Sequence, residues 1–152
     1  MDLNTDFRDM LLELIAAKVD YLKVGAYAVA AHGYPRATGD LDIWVRADVQ
    51  TAPKVMRALA RFGAPVDQIS ESDFATPSCV FQIGVPPGRI DILTAISGVQ
   101  FDSAWKNRIV IRIEDLELNV IGKVDLLLNK KASGRPKDLA DIQGLKDSEG
   151  VG

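Results

Sequence analysis

Residues 40–46 alternate strictly between two kinds of side chain, and this segment constrains the fold more than any other part of the sequence. The alternation has the period of a β-strand, so the segment is predicted to be a half-buried strand. One face carries Leu41, Ile43 and Val45, and the other carries Asp40, Asp42 and Trp44. Because side chains two residues apart leave a strand on the same side, the two carboxylates are expected to lie next to each other.

The neighbouring carboxylates of Asp40 and Asp42 repel each other. At a separation of about 4 Å and an effective dielectric constant of about 20, the repulsion is about 4 kcal/mol. Exposure to solvent on an open sheet face is one way to tolerate it. A bound Mg²⁺ or Mn²⁺ is another, because hard cations take carboxylate oxygens and keep coordination positions for phosphate. An Asp-x-Asp pattern alone does not decide between the two.

A third acid, Asp91, interrupts an apolar run, with Ile90 before it and Ile92 after it. A charge in a strand of such composition needs a partner, because burying it alone is costly. If this strand lies beside residues 40–46, three carboxylates converge in an arrangement suited to metal-assisted phosphoryl transfer. The alternative is that Asp91 pairs with Arg89 at the edge of a sheet.

The remaining patterns predict a mixed α/β domain in one piece, covering residues 1–152. Helices are predicted over residues 4–19, 25–31, 51–62, 122–132 and 136–146. Strands are predicted over residues 21–24, 40–46, 79–85, 89–93, 108–113 and 116–121. Residues 63–77 are predicted to be an irregular loop. The sequence Pro86-Pro87-Gly88 predicts a hairpin between the two strands that flank it.

Charge and cysteine content disfavour several classes of protein. A net charge of -3 and a pI near 5.1 argue against a dedicated duplex-binding protein, although an RNA substrate on a local basic patch stays open. The single cysteine, Cys79, cannot form an internal disulfide, which is compatible with a reducing cytoplasm. Acidic residues occupy the N-terminal segment and no apolar run reaches about 18 residues, so we expect a cytoplasmic protein without a membrane-spanning segment.

A basic segment lies near the C-terminus. Its basic residues are Lys123, Lys130, Lys131, Arg135 and Lys137, and its one acid is Asp125. Such a run is either a solvated helix face or a clamp for phosphate or for the acceptor of a reaction. Lys130 or Lys131, together with Arg135, are the leading candidates for a clamp. Asp138 and Asp141 are then expected to be structural partners of the nearby basic side chains.

Two stretches of the chain resemble the DNA polymerase β-like nucleotidyltransferase superfamily. Val24–Ile43 follows the order of its signature, which is a strand, a glycine turn, a helix and then Asp-x-Asp on the next strand. The form found here, His-Gly-x-x-Arg-x-Thr-x-Asp-x-Asp, is most similar to the small bacterial AbiEii-type toxin relatives and minimal nucleotidyltransferases. Lys130–Ile142 is similar to the closing motif of the same group, and Asp91 lies where the third acid belongs.

The resemblance implies a mixed β-sheet with flanking helices, and an enzyme that transfers a nucleoside monophosphate from an NTP with release of pyrophosphate. It implies that Asp40 and Asp42 bind Mg²⁺ or Mn²⁺, and that Asp91 binds a second ion or takes the proton of the acceptor hydroxyl. Nucleotide contacts are expected from Gly25, Ala26, Arg36, Thr38, Lys130, Lys131 and Arg135. For Gly25 and Ala26 this has an independent physical basis, since free amides and the helix dipole both favour phosphate at the start of a helix. For Arg36, a contact with one of the acids is equally open.

The acceptor and the partners stay open at this point. A tRNA end, a protein side chain and a small molecule such as an antibiotic hydroxyl are all compatible acceptors, and a homodimer or a cognate toxin or antitoxin partner would supply further recognition. A function of a different class is a catalytically silent module of the same fold that binds a partner protein, for instance as an antitoxin. Ala26 stands where the superfamily usually has Ser or Gly, which favours the silent module, whereas the three acids favour the enzyme.

Overall fold

The computed structural model describes residues 4–35, 39–85 and 87–151. Its helices are α1 (Thr5–Ala16), α2 (Gly25–Ala31), α3 (Ala52–Phe62), α4 (Glu71–Ala75), α5 (Phe101–Lys106), α6 (Lys123–Ser133) and α7 (Pro136–Val151). Its strands are β1 (Tyr21–Val24), β2 (Leu41–Val45), β3 (Val80–Ile83), β4 (Ile90–Leu93), β5 (Ile109–Ile113) and β6 (Leu116–Val120). Parallel and antiparallel strand pairs both occur, with helices flanking them. The predicted mixed α/β fold is therefore confirmed.

The chain divides into two compact units. The first unit contains the described residues of 1–21 and 39–95, and the second unit contains those of 22–38 and 96–152. The single domain expected from the sequence stays a prediction.

In the first unit, strand β4 lies between β3 and β2. It pairs antiparallel with β3 and parallel with β2. The antiparallel pair is the hairpin predicted from the Pro-Pro-Gly sequence. The apolar face of β2 is fully buried, with Leu41, Ile43 and Val45 each 0% exposed, so the alternation in the sequence correctly separates a core face from the face that carries the acids.

Helices α1 and α3 pack against each other in the first unit. Helix α1 begins after Asn4, whose side-chain oxygen accepts a hydrogen bond of 2.8 Å from the backbone amide of Phe7. The buried side chains of the two helices recur at helical spacing: Phe7, Met10, Leu11 and Leu14 in α1, and Val55, Ala58 and Leu59 in α3. Helix α3 ends at Gly63, whose φ of 96° favours glycine. Both helices were predicted from the same periodicity.

Two parts of the structure differ from the sequence prediction. The segment 63–77 is not an irregular loop, since it contains a 3₁₀ turn at Val66–Gln68 and helix α4. Ser70 and Asp73 form a capping box at the start of α4, and Phe74 is fully buried, which together stabilise a helix of one turn and a half. Helix α5 was not predicted at all, because it is too short to show a helical period.

The second unit contains β1, β6 and β5 in that order. β1 pairs parallel with β6, and β5 and β6 form an antiparallel hairpin. Helix α6 ends at Gly134, whose φ is 65°, and α7 begins at Pro136, as the sequence predicts. Helices α6 and α7 pack against each other. Within the part of the chain that the structure describes, no helix combines the length and the apolar composition needed to cross a bilayer.

Candidate functional site

The acids predicted to form the site all lie in the first unit, with Asp42 and Asp91 on two neighbouring strands and Asp40 directly before the first of them. Asp42 of β2 and Asp91 of β4 are direct partners in the parallel register. Partners in this position have their side chains on the same face of the sheet, and Asp40 lies on that face as well because it precedes Asp42 by two residues. Asp91 is only 7% exposed, whereas Asp40 and Asp42 are partly exposed. The register therefore brings the Asp-x-Asp strand and the third acid side by side.

Arg89 holds two of these acids in the structure. Its Nε and Nη2 atoms donate hydrogen bonds to the two carboxylate oxygens of Asp91 at 2.8 and 3.1 Å. Its Nη2 also lies 3.6 Å from Oδ2 of Asp40. One guanidinium thus contacts a carboxylate from each of the two strands.

The acids around Arg89 favour its charged form. The hydrogen bond to Asp91 raises the pKa of the guanidinium, partial burial opposes the rise, and the charges of Asp91, Asp40 and Asp42 add to it. All three acids therefore act on the same cation. Sequence reasoning had set the pairing of Asp91 with Arg89 against the convergence of three acids, but the structure contains both the pairing and the adjacent strands. The sheet-edge position that the alternative gave to this pair is wrong, since β4 lies between β3 and β2.

Hydrogen bonds hold the backbone around the acids in place. The amide of Leu41 donates to the carbonyl of Arg89 at 2.9 Å, and the amide of Arg89 donates to Oδ1 of Asp40 at 3.1 Å. The amide of Gly88 donates to the carbonyl of Gly39. A Cβ atom at Gly39 would lie 2.6 Å from Cβ of Pro87, so the close approach of the two strands requires glycine there.

The acids match a hard cation in chemistry, although Arg89 contacts two of them. Carboxylate oxygens are the ligands that Mg²⁺ and Mn²⁺ prefer. Among the residues that the structure describes, no group of three or more His, Cys, Asp or Glu side chains is gathered closely enough to hold a metal ion. A positive charge nevertheless lies between Asp40 and Asp91, because Arg89 supplies it. The residues therefore fit a cation at this position, and a metal ion would have to share or replace the contacts of Arg89.

Sequence reasoning missed the contact between Arg89 and Asp40. The signal was present, because Arg89 and Asp91 are two residues apart on a strand and must share a face. Gln82 of β3 is likewise the register partner of Asp91 on its other side, so it belongs to the same row of side chains. The contact of Arg89 with Asp40 and the position of Gln82 also depend on the strand order, which the sequence does not give.

Gly25 and Ala26 lie in the second unit, where they begin helix α2. Gly25 has a φ of 68°, a conformation that strongly favours glycine. The residue that precedes the helix, Val24, has no side chain that caps it. Arg36 and Thr38, which were also expected to contact nucleotide, lie outside the described residues.

The basic residues of the second unit have different surroundings. Lys130 is 5% exposed, and its Nζ lies 3.3 Å from Asp138 and 3.1 Å from Asp141. Arg135 is 58% exposed and donates to Asp138 at 2.7 Å through Nε. Burial by itself would raise the pKa of Asp138, but hydrogen bonds from Arg135 and Lys130 and the two positive charges lower it below its ordinary value. Lys131 is exposed. Lys130 thus joins α6 to α7. Asp138 and Asp141 are its partners, which agrees with the structural role expected for these two acids.

Comparison with solved structures identifies the fold. The lincomycin-bound lincosamide antibiotic adenylyltransferase LnuA aligns with a TM-score of 0.57 at 18% identity, over 95% of this chain and 96% of its own. A Thermotoga maritima protein named as a candidate nucleotidyltransferase aligns with a TM-score of 0.56 at 15% identity, over 99% of this chain and 97% of its own. The chain has a nucleotidyltransferase fold. No family model matches the sequence, and no curated protein matches it.

Proposed function

We propose that this chain is a metal-dependent nucleotidyltransferase that moves a nucleoside monophosphate from an NTP to an acceptor hydroxyl and releases pyrophosphate. One observation carries the proposal: Asp42 and Asp91 are register partners on adjacent parallel strands, with Asp40 on the same face, in a chain that has a nucleotidyltransferase fold. The fold alone does not imply activity, because folds host many functions. The three neighbouring acids, Asp40, Asp42 and Asp91, are the residues that support catalytic activity.

The proposal gives each acid a task. Asp40 and Asp42 would hold Mg²⁺ or Mn²⁺, which supplies positive charge to phosphate oxygens when it is bound. Asp91 is the most buried of the three and would take the proton from the acceptor hydroxyl or serve as a third ligand. The hydrogen bonds between residues 39–41 and 88–89 would keep the two strands fixed while the nucleotide binds.

Phosphate contacts are proposed in the second unit on the basis of the resemblance. The residues in question are Gly25, Ala26, Arg36, Thr38, Lys130, Lys131 and Arg135. Among the basic ones, Lys131 and Arg135 are exposed and reach solvent, whereas Lys130 would have to give up two buried carboxylate partners to bind phosphate. We therefore propose Lys131 and Arg135, ahead of Lys130, as the basic residues that contact phosphate.

The acceptor is proposed to be a small hydroxyl compound. LnuA, whose name describes it as an adenylyltransferase of lincosamide antibiotics, aligns over nearly its whole length with this chain. This likeness to an enzyme that acts on a small antibiotic supports a small-molecule acceptor over RNA or protein. The competing acceptors to test are a tRNA end and a protein side chain. A toxin or antitoxin partner is to be tested as well.

Pyrophosphate release tests the proposal. The wild-type chain is incubated with each NTP and Mg²⁺, together with pools of tRNA, protein lysate or hydroxylated small molecules, and pyrophosphate is measured. We expect release with at least one pool, and a loss of about 100-fold or more in Asp42→Asn, because a transition-state contact is removed. Asp67→Asn is the matched control, since Asp67 is an exposed acid of the same unit and lies in the 3₁₀ turn at Val66–Gln68, outside β2 and β4. Equal rates in the two variants would contradict the proposal.

A second candidate is the catalytically silent module that binds a partner protein. The observation that favours it is the position of Arg89, whose positive charge already contacts both Asp40 and Asp91. A silent module would show no Mg²⁺-dependent nucleotide binding in calorimetry. Measurable NTP affinity that disappears in excess EDTA would exclude it.

A further inference from the structure

Arg89 occupies the position among the acids where a cation is needed. It makes two hydrogen bonds to Asp91, at 2.8 and 3.1 Å, and lies 3.6 Å from Asp40. The guanidinium stays charged at every accessible pH, so its repulsion of an incoming divalent ion cannot be removed by deprotonation. A metal ion on Asp40 and the guanidinium in its present position would therefore repel each other.

The backbone of Arg89 is held against β2, whereas its side chain borders solvent. Its carbonyl accepts from Leu41 and its amide donates to Asp40, which fixes the main chain against β2. The side chain is 28% exposed, so its outer part borders solvent. Rotation of the side chain would free the oxygens of Asp91 without disturbing the strand register.

We propose that Arg89 is a displaceable internal counter-ion: it holds Asp40 and Asp91 together in the metal-free protein and leaves them when a divalent cation binds. This inference rests on the proposed function, because it assumes that the acids take a metal ion during the reaction. Once displaced, the guanidinium is suited to an anionic group of the nucleotide, since its planar donors match phosphate oxygens. Arg89 is thus a positioning residue that couples metal binding to nucleotide binding.

Titration with Mn²⁺ in the absence of nucleotide tests the inference. Arg89→Met removes the competing charge but keeps most of the apolar stem. We expect Mn²⁺ affinity to rise by about tenfold or more, the order expected when charge-assisted hydrogen bonds no longer have to be broken. We also expect the metal-free variant to melt at a lower temperature than wild type, and Mn²⁺ to restore that loss. A residue that only stabilised the fold would lower the melting temperature without raising metal affinity.

Arg46→Met is the matched control. Arg46 also forms an ion pair in the first unit, with Asp20 at 3.2 Å, and its side chain is 21% exposed, close to the value for Arg89. Its loss is expected to leave Mn²⁺ affinity unchanged. Arg89→Lys keeps one positive charge but loses the two-pronged hydrogen bond, so its affinity for Mn²⁺ should fall between those of wild type and Arg89→Met.

A measurement on the wild-type protein keeps the inference testable if the methionine variant does not fold. The Nε–H resonance of Arg89 should exchange slowly with water before metal is added, because it donates to Asp91, and should lose this protection when Mg²⁺ is added without nucleotide. Retained protection in the protein saturated with Mg²⁺ alone would overturn the inference.

The outcomes separate this inference from the proposed function. If wild type and Arg89→Met bind Mn²⁺ equally well, Arg89 is not a competitor, and the nucleotidyltransferase proposal stands without it. If neither protein binds Mn²⁺, with or without an NTP analogue, the metal-dependent function itself fails and the counter-ion inference fails with it.

Discussion

Replacement of Lys23 by methionine is expected to stabilise the protein at neutral pH. Lys23 is 0% exposed, and among the described residues no group lies within hydrogen-bond distance of its Nζ. Its Nζ lies over the ring of Tyr27, 4.8 Å from the ring centroid. Methionine has nearly the same length and carries no charge, so it removes the cost of burying an ammonium without opening a large cavity.

The magnitude follows from the pKa of Lys23, which burial lowers from 10.5 to about 8. This gap corresponds to a cost of about 3 kcal/mol at pH 7, at about 1.4 kcal/mol per pKa unit. The cation–π contact with Tyr27 offsets about 1 kcal/mol of it. We therefore expect Lys23→Met to raise the free energy of unfolding by about 2 kcal/mol at pH 7.

The pH dependence of the free energy of unfolding tests separately whether Lys23 destabilises the folded protein. Because the folded pKa lies below the unfolded one, the wild-type protein gains stability as the pH rises from about 8 to 10.5, where the folded state loses the proton first. The advantage of Lys23→Met should therefore be complete below pH 8 and vanish near pH 10.5. Urea denaturation of both proteins at pH 7 and pH 10 measures this, with Lys106→Met, an exposed lysine, as the control. A variant less stable than wild type at pH 7 would refute the reasoning, since Lys23 would then have a strong partner.

Three further predictions concern the site and its support. Gly39→Ala places a Cβ 2.6 Å from Pro87, so we expect a loss of about 1–3 kcal/mol in urea denaturation together with weaker nucleotide binding; unchanged values for both would show that the strands can separate freely. Asp138→Asn breaks a buried ion pair and should cost about 3 kcal/mol at pH 7. Since the folded pKa of Asp138 is lowered, this difference should persist above its ordinary pKa of 3.8 and shrink as the pH falls below it; a difference independent of pH would contradict the assignment. Asp91→Asn should spare Mg²⁺-dependent NTP binding in calorimetry but abolish transfer, and equal loss of both would make Asp91 a metal ligand instead of the base.

The strands that carry the acids could be predicted because their patterns are local. Alternation over residues 40–46 and the Pro-Pro-Gly turn before β4 are both contained in short windows of sequence. The pairing of Asp42 with Asp91 could be predicted only on the condition that their strands are neighbours. Residues 46–89, which are 44 residues, separate β2 from β4, and strand order depends on packing across the unit.

Other features depended on contacts that no local pattern contains. Lys130 has the appearance of a surface lysine in a basic run, but it is buried because two acids of the following helix surround it. Lys23 occupies a strand with apolar neighbours, and its burial follows from the whole of that strand being covered. The contact of Arg89 with Asp40 required the register of β2 and β4. In each case tertiary packing, and not propensity, decided the environment of a charged side chain.

The position of the label in the transferred group tests the central claim most directly. The protein is incubated with Mg²⁺, hydroxylated small molecules and NTPs that carry the isotope either in the α-phosphate or in the γ-phosphate, and the acceptor fraction is counted. A nucleotidyltransferase attaches the α-label to the acceptor and releases the γ-label as pyrophosphate. Transfer of the γ-label to the acceptor would contradict the account. So would the absence of both labels from every acceptor, with Asp42→Asn giving the same result as wild type.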